Sequence, residues 1–194
     1  MKNRAARRIT AAILATVAAA ATVATTAGTA SAIATTDVLN VSYGTTPYWI
    51  AASNSVMPVS VADASYDAGH RVIQWYNTGG DEQKWYFDGV TDENTGQYLG
   101  FLLRNKRSGM CLDTDGVPGD ELFQEPCSPY AYGQIFNNTP NYDVFGIIIS
   151  WSYSNYDTGL ELDVAGVSVS AGANIDLWYP NNQINQNFYL TQTS

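Results

Sequence analysis

The chain has 194 residues, with nine Lys or Arg against eighteen Asp or Glu, a formal charge of −9, one histidine and two cysteines. So acidic a chain repels phosphate backbones, which excludes nucleic acid as a natural partner and disfavours anionic lipid and strongly acidic polysaccharide.

In chain order, residues 1–32 read as a secretory signal peptide. Lys2, Arg4, Arg7 and Arg8 form a basic head, an Ala/Thr-rich run follows, and "TASAIATT" supplies small residues for cleavage between Ala32 and Ile33. The threonines make the run too short and too weakly apolar for a stable membrane span, so no membrane insertion is expected. The Arg7–Arg8 pair leaves general secretion and the twin-arginine route both open. The expected location is extracellular. Removal of this leader takes four basic residues and no acidic ones, leaving a charge of −13. Residues 33–47 then read as a linker or a closing strand.

Residues 48–194 are built from repeats, over about 48–90, 98–140 and 145–192. "QWYNTGGDEQKWYF" contains the step Gln83-Lys84-Trp85, and close relatives of it recur as Gln134-Ile135-Phe136 and Gln186-Asn187-Phe188, at spacings of 51 and 52 residues. Gly69, Gly119 and Gly172 precede these glutamines by 14, 15 and 14 residues. Upstream again, Ser60, Asp113 and Asp163 occupy equivalent places in "MPVSVADAS", "MCLDTDG" and "ELDVAGVS". Runs such as "RVIQWY", "GFLLRN", "FGIIISWSY" and "QNFYLTQ" are rich in β-branched and aromatic residues, and Gly, Asn, Asp and Pro clusters separate them. Three matched copies of about four strands each predict an all-β fold, a closed barrel capped by hairpins, in which no sheet edge is left open. Residues i and i+2 of a strand share a face. The aromatic can therefore fill the barrel while the glutamine amide satisfies backbone groups of the adjoining loop.

The two cysteines, Cys111 and Cys127, lie within one copy of an exported chain, which favours a disulfide closing a loop of about 15 residues.

The three Q-x-W/F steps, the "CLD" of Cys111-Leu112-Asp113, the "ELDV" of the third copy and "NIDLW" together resemble the ricin-type β-trefoil lectins and the related carbohydrate-binding modules of secreted bacterial glycosidases. The resemblance covers about residues 48–192, with Phe in place of Trp in copies two and three. It implies a β-trefoil with one shallow sugar pocket per repeat. In each pocket a carboxylate accepts from sugar hydroxyls, an aromatic stacks on the C–H face of the ring, and an Asn-Gln pair closes the polar side. The third copy fills every role, with Asp163, Asp176, Trp178, Asn185 and Gln186, although Asp176 stands where glutamine is more usual. The first copy offers Gln74 and Tyr76 but has Ser60 in place of the aspartate and Glu82 before Gln83. The second keeps Asp113 but has Phe123 in the polar slot, Glu125 in the platform slot and Gly133 before Gln134.

No enzyme is expected. Asp163 with Asp176, or Asp113 with Asp115, could be set against the need for two carboxylates in glycoside hydrolysis, but the repeats use the whole chain and leave no separate catalytic domain. His70, at a hairpin, has no arranged nucleophile in view. "DTDGVPGDE" does not match the spacing of a calcium loop, and no cofactor or metal is implied. The expected function is a secreted carbohydrate-binding module for glycans or polysaccharide, with galactose-type sugars and a plant-wall polymer equally compatible. The alternative is a non-sugar trefoil acting as a protease inhibitor or protein-interaction module.

Overall fold

A computed structural model describes residues 38–194. The signal-peptide reading of residues 1–32 lies outside the described residues. The strands, in chain order, are β1 (Leu39–Ser42), β2 (Tyr48–Ala52), β3 (Val59–Val61), β4 (His70–Gln74), β5 (Trp85–Asp92), β6 (Tyr98–Asn105), β7 (Cys111–Asp113), β8 (Phe123–Glu125), β9 (Ile135–Tyr142), β10 (Ile148–Asn155), β11 (Glu161–Val164), β12 (Ile175–Trp178) and β13 (Phe188–Gln192).

Six of them close on themselves. β2 pairs with β5, β5 with β6, β6 with β9, β9 with β10, β10 with β13, and β13 returns to β2, every pair antiparallel. The hairpins β3–β4, β7–β8 and β11–β12 cap this ring. Each repeat thus contributes four strands in the same order, and the fold is a β-trefoil. Outside the repeats, β1 pairs antiparallel with β5, Leu39 opposite Asp92 and Ser42 opposite Gly89.

The aromatic residue of each Q-x-aromatic step begins a barrel strand and is fully buried: Trp85, Phe136 and Phe188. They occupy matching registers, Tyr48 opposite Trp85, Phe101 opposite Phe136 and Trp151 opposite Phe188. That is the pseudo-threefold axis seen at the level of residues.

The glutamines act on the loops as expected. Gln83, Gln134 and Gln186 each end a single 3₁₀ turn and are buried. Their amide nitrogens donate to the carbonyls of Tyr76 (2.7 Å), Pro126 (3.1 Å) and Tyr179 (3.0 Å). Their amide oxygens accept from the N–H groups of Thr78 (2.9 Å), Ser128 (2.8 Å) and Asn181 (2.9 Å), each two residues further on. One side chain closes each loop twice over, where an unmet backbone group would otherwise be costly.

One strand starts later than the sequence pattern suggests. The Phe145-Gly146-Ile147 part of "FGIIISWSY" is a turn, closed by the N–H groups of Phe145 and Ile147 donating to Asp143 Oδ1 at 2.9 Å each. Apolar residues alone read as strand; the aspartate two residues earlier supplied the turn chemistry.

Cys111 and Cys127 are bonded, with their Cα atoms 4.9 Å apart, tying β7 to the segment that follows β8. Cys127→Ser is expected to lower the unfolding free energy by about 2–3 kcal/mol, measured by denaturant titration with and without reductant. The third repeat lies elsewhere, so its geometry should survive the change.

Candidate functional site

The three cap hairpins decide what each repeat can do, because residues directly opposed across an antiparallel pair share one face. In the third repeat Asp163 stands opposite Asp176, and Glu161 opposite Trp178. In the second, Asp113 stands opposite Phe123, and Cys111 opposite Glu125. In the first, Ser60 stands opposite Ile73, and Val59 opposite Gln74.

The third repeat brings Asp163, Asp176 and Asn185 together in a buried cluster. Asn185 Nδ2 donates to both carboxylate oxygens of Asp163, each at 2.8 Å, and also reaches Val164 O at 3.2 Å. Burial pushes the Asp163 carboxyl up to about 6, partly opposed by the amides of Gln186 and Asn185. Burial, reinforced by the Asp163 charge, pushes Asp176 up to about 7. Two buried acceptors have no hydrogen-bond partner, Asp176 Oδ1 and Asn185 Oδ1. Beside them Trp178 leaves 43% of its surface open.

What holds Trp178 is a glycine of the repeat before. Gly119 has φ +84°, and a Cβ on it would lie 3.0 Å from the indole. Its N–H donates to Leu177 O at 2.8 Å, so backbone and ring are fixed together. Glycine is required here both for the left-handed backbone and for the close approach. The edge of Tyr179 meets the Trp178 ring, with centroids 5.9 Å apart.

The same construction occurs in the first repeat, one residue away from where the sequence pattern put it. Trp75, 40% exposed, lies over Gly172, whose Cβ would be 3.4 Å from the ring, and Tyr76 meets its edge at 5.7 Å. By register Trp75 is the counterpart of Trp178 and Ile73 that of Asp176, each one residue before Tyr76 and Gln74. Gln74 is fully buried in another task. Its amide donates to Ser168 O and Ser170 O, both at 2.9 Å, and accepts from Ser55 Oγ at 2.7 Å, tying the first repeat to the third. Gln124 makes the same tie in the second repeat, to Ser65 O, Asp67 O and Ser108 Oγ. A signal in the sequence was available: Trp75 and Trp178 both stand eight residues before their glutamines, each followed by tyrosine.

Asp113 is occupied by its own chain. Gln134 Nε2 donates to one oxygen at 2.9 Å and the Thr114 N–H to the other at 2.7 Å. Burial raises the carboxyl, with those bonds opposing. Gly133 stands where the third repeat has Asn185, and a Cβ there would lie 2.6 Å from Asp113 Oδ1. The missing side chain is what lets the carboxylate fold into the loop, so the second repeat presents neither a free acceptor nor an aromatic platform. Gln186 closes its loop through Tyr179 O and the Asn181 N–H and also acts on the Asp163 carboxylate, as Gln134 does on Asp113. Among the described residues, no group of three or more His, Cys, Asp and Glu is arranged to hold a metal ion.

Comparison with known proteins agrees with this architecture. Residues 35–128 match the family described as ricin-type beta-trefoil lectin domain-like. Among solved structures, the designed threefold-symmetric protein ThreeFoil is 26% identical, with a TM-score of 0.62 over 74% of this chain and 96% of that one. The exo-beta-1,3-galactanase 1,3Gal43A from Clostridium thermocellum is 27% identical, with a TM-score of 0.65, over 77% of this chain but only 30% of the enzyme. The C-half of an earthworm R-type lectin, solved with GalNAc, shares the fold at 18% identity, with a TM-score of 0.58 over 76% of this chain and 99% of that one. No curated protein matches the chain. Over residues 35–128 the chain is thus similar to ricin-type β-trefoil lectin domains, and it shares the β-trefoil fold of these solved structures.

Proposed function

We propose that the protein is a secreted, non-catalytic carbohydrate-binding module whose third repeat carries the sugar site. One observation carries this reading: a half-open Trp178 ring, braced on Gly119, stands beside a buried Asp163–Asn185 pair. A pyranose has one face of C–H groups and an edge of hydroxyls, and it needs a flat apolar platform beside fixed polar groups. The other repeats support the assignment by what they lack. The second repeat has Phe123 and Glu125 where the third has Asp176 and Trp178, and the Trp75 platform faces Ser60 and Ile73 in place of carboxylates. The Cys111–Cys127 disulfide agrees with an oxidising, extracellular compartment, as does the leader-like sequence of residues 1–32.

The test is a glycan array followed by titration of the best ligand. Trp178→Ala removes the platform, and Asp163→Asn removes a charge-assisted acceptor worth about 1.5–3 kcal/mol. Each is expected to weaken binding by about tenfold or more, while Asp113→Asn leaves it unchanged. Binding lost in Asp113→Asn and kept in both third-repeat variants would move the site to the second repeat. A wild-type protein that binds no glycan at millimolar concentration would turn the reading to a protein-interaction module.

A further inference from the structure

We propose that the third-repeat pocket selects sugars bearing a free ammonium group, hexosamines, over neutral or N-acetylated sugars; this rests on the reading of that pocket as a sugar site. Ile73 faces Ser60 in the first repeat and Phe123 faces Asp113 in the second, but in the third a carboxylate faces a carboxylate, Asp163 against Asp176. Like charges directly opposed across a strand pair repel. Both side chains are buried, Asp163 with 4% and Asp176 with 7% of its surface exposed. Among the described residues no Lys, Arg or His forms an ion pair with either of them. The pocket therefore holds two carboxyl groups and no positive charge of its own.

The unmet hydrogen-bonding groups have the same sense. Asn185 turns its amide nitrogen to Asp163, leaving Asn185 Oδ1 and Asp176 Oδ1 without partners, and both are acceptors. The ligand has to bring the donors. A sugar hydroxyl would satisfy one acceptor and leave the repulsion between the carboxylates in place. An ammonium group brings three donors and a positive charge, so it answers both deficits at once. Two further features point the same way. Glu161 stands two residues from Asp163 on the same face of β11, and burial together with the Asp163 charge raises its carboxyl, so a third acid borders the pocket. The open face of Trp178 attracts a cation placed over it.

Titration calorimetry of the purified protein at neutral pH in 0.15 M salt tests this with short oligomers of glucosamine and galactosamine and their N-acetylated counterparts. The amine forms are expected to bind about tenfold more tightly or better. Asp176→Asn should reduce that preference to about twofold or less without lowering the melting temperature, and Asp176→Gln, which restores the amide more usual in this family, should do the same. Trp178→Ala should remove binding of both kinds of sugar. Equal or tighter binding of the N-acetylated forms by wild type, with binding lost in Trp178→Ala, overturns the amine preference and leaves the site assignment standing. Amine binding that persists in both Asp176→Asn and Trp178→Ala is attraction to the acidic surface and also overturns it. A wild type that binds neither kind overturns the sugar site itself.

Discussion

Trp85→Ala is expected to lower the unfolding free energy by about 3–5 kcal/mol, the cost of emptying a large site in a core that cannot collapse around it. The indole is fully buried, begins β5 opposite Tyr48 and Asn105, and donates from Nε1 to Val59 O at 2.9 Å. The truncation therefore leaves a cavity and also strips a buried carbonyl of its donor. For a domain of this size the melting temperature should fall by about 10 °C or more in calorimetry. The repeats supply a natural control, because Phe136 and Phe188 hold the equivalent positions without an indole N–H. Trp85→Phe keeps most of the packing and loses only the bond to Val59, so about 1–2 kcal/mol should suffice. A cost below about 1 kcal/mol for Trp85→Ala would show that the ring is not a shared axial element of the barrel.

The parts of the molecule that repeat were legible in the sequence, because a repeated physical task leaves a periodic trace. Gln83, Gln134 and Gln186 close three equivalent loops, so each loop needs the same amide, and the aromatic two residues later needs the same burial. The closed barrel and the capping hairpins follow from those steps.

What the pattern obscured depends on space and register, not on residue type. Gln74 looked like the polar partner of a sugar because it is an amide beside an aromatic. Register puts it opposite Val59, inside, where it ties repeats together. Matching by residue type displaced the platform to Tyr76; counting eight residues back from the glutamine would have found Trp75. The fate of Asp113 was harder to foresee. It depends on the absence of a Cβ at Gly133, a fact about volume that no carboxylate motif records. Gly119 and Gly172 were visible as landmarks, but their reason, a left-handed backbone under an indole ring, required the neighbouring repeat to be in place.

Asp176→Asn is expected to stabilise the protein at pH 8 by about 3–4 kcal/mol and to leave it unchanged near pH 4. In an unfolded chain an aspartate titrates at about 3.9. In the folded protein burial, with the Asp163 charge added, holds Asp176 up at about 7. Between those values the folded state keeps a proton that the unfolded state has released, so stability is greatest below the unfolded value and falls as pH rises through the folded one. Asp163, held at about 6 chiefly by burial, adds a loss of the same sign in both wild type and variant. Denaturant titrations of wild type and variant from pH 4 to pH 8 should therefore diverge steadily. Parallel curves would mean that both carboxyls ionise as they do in water, and the pocket would then be wetter than its burial implies. A divergence would identify the facing acids as a local cost to the fold, since an asparagine would fit the same space without it. Sites that bind charge commonly hold such unfavourable groups. A ligand that supplies the missing positive charge should recover much of the lost stability at pH 8, and little at pH 4, where the acids are already protonated.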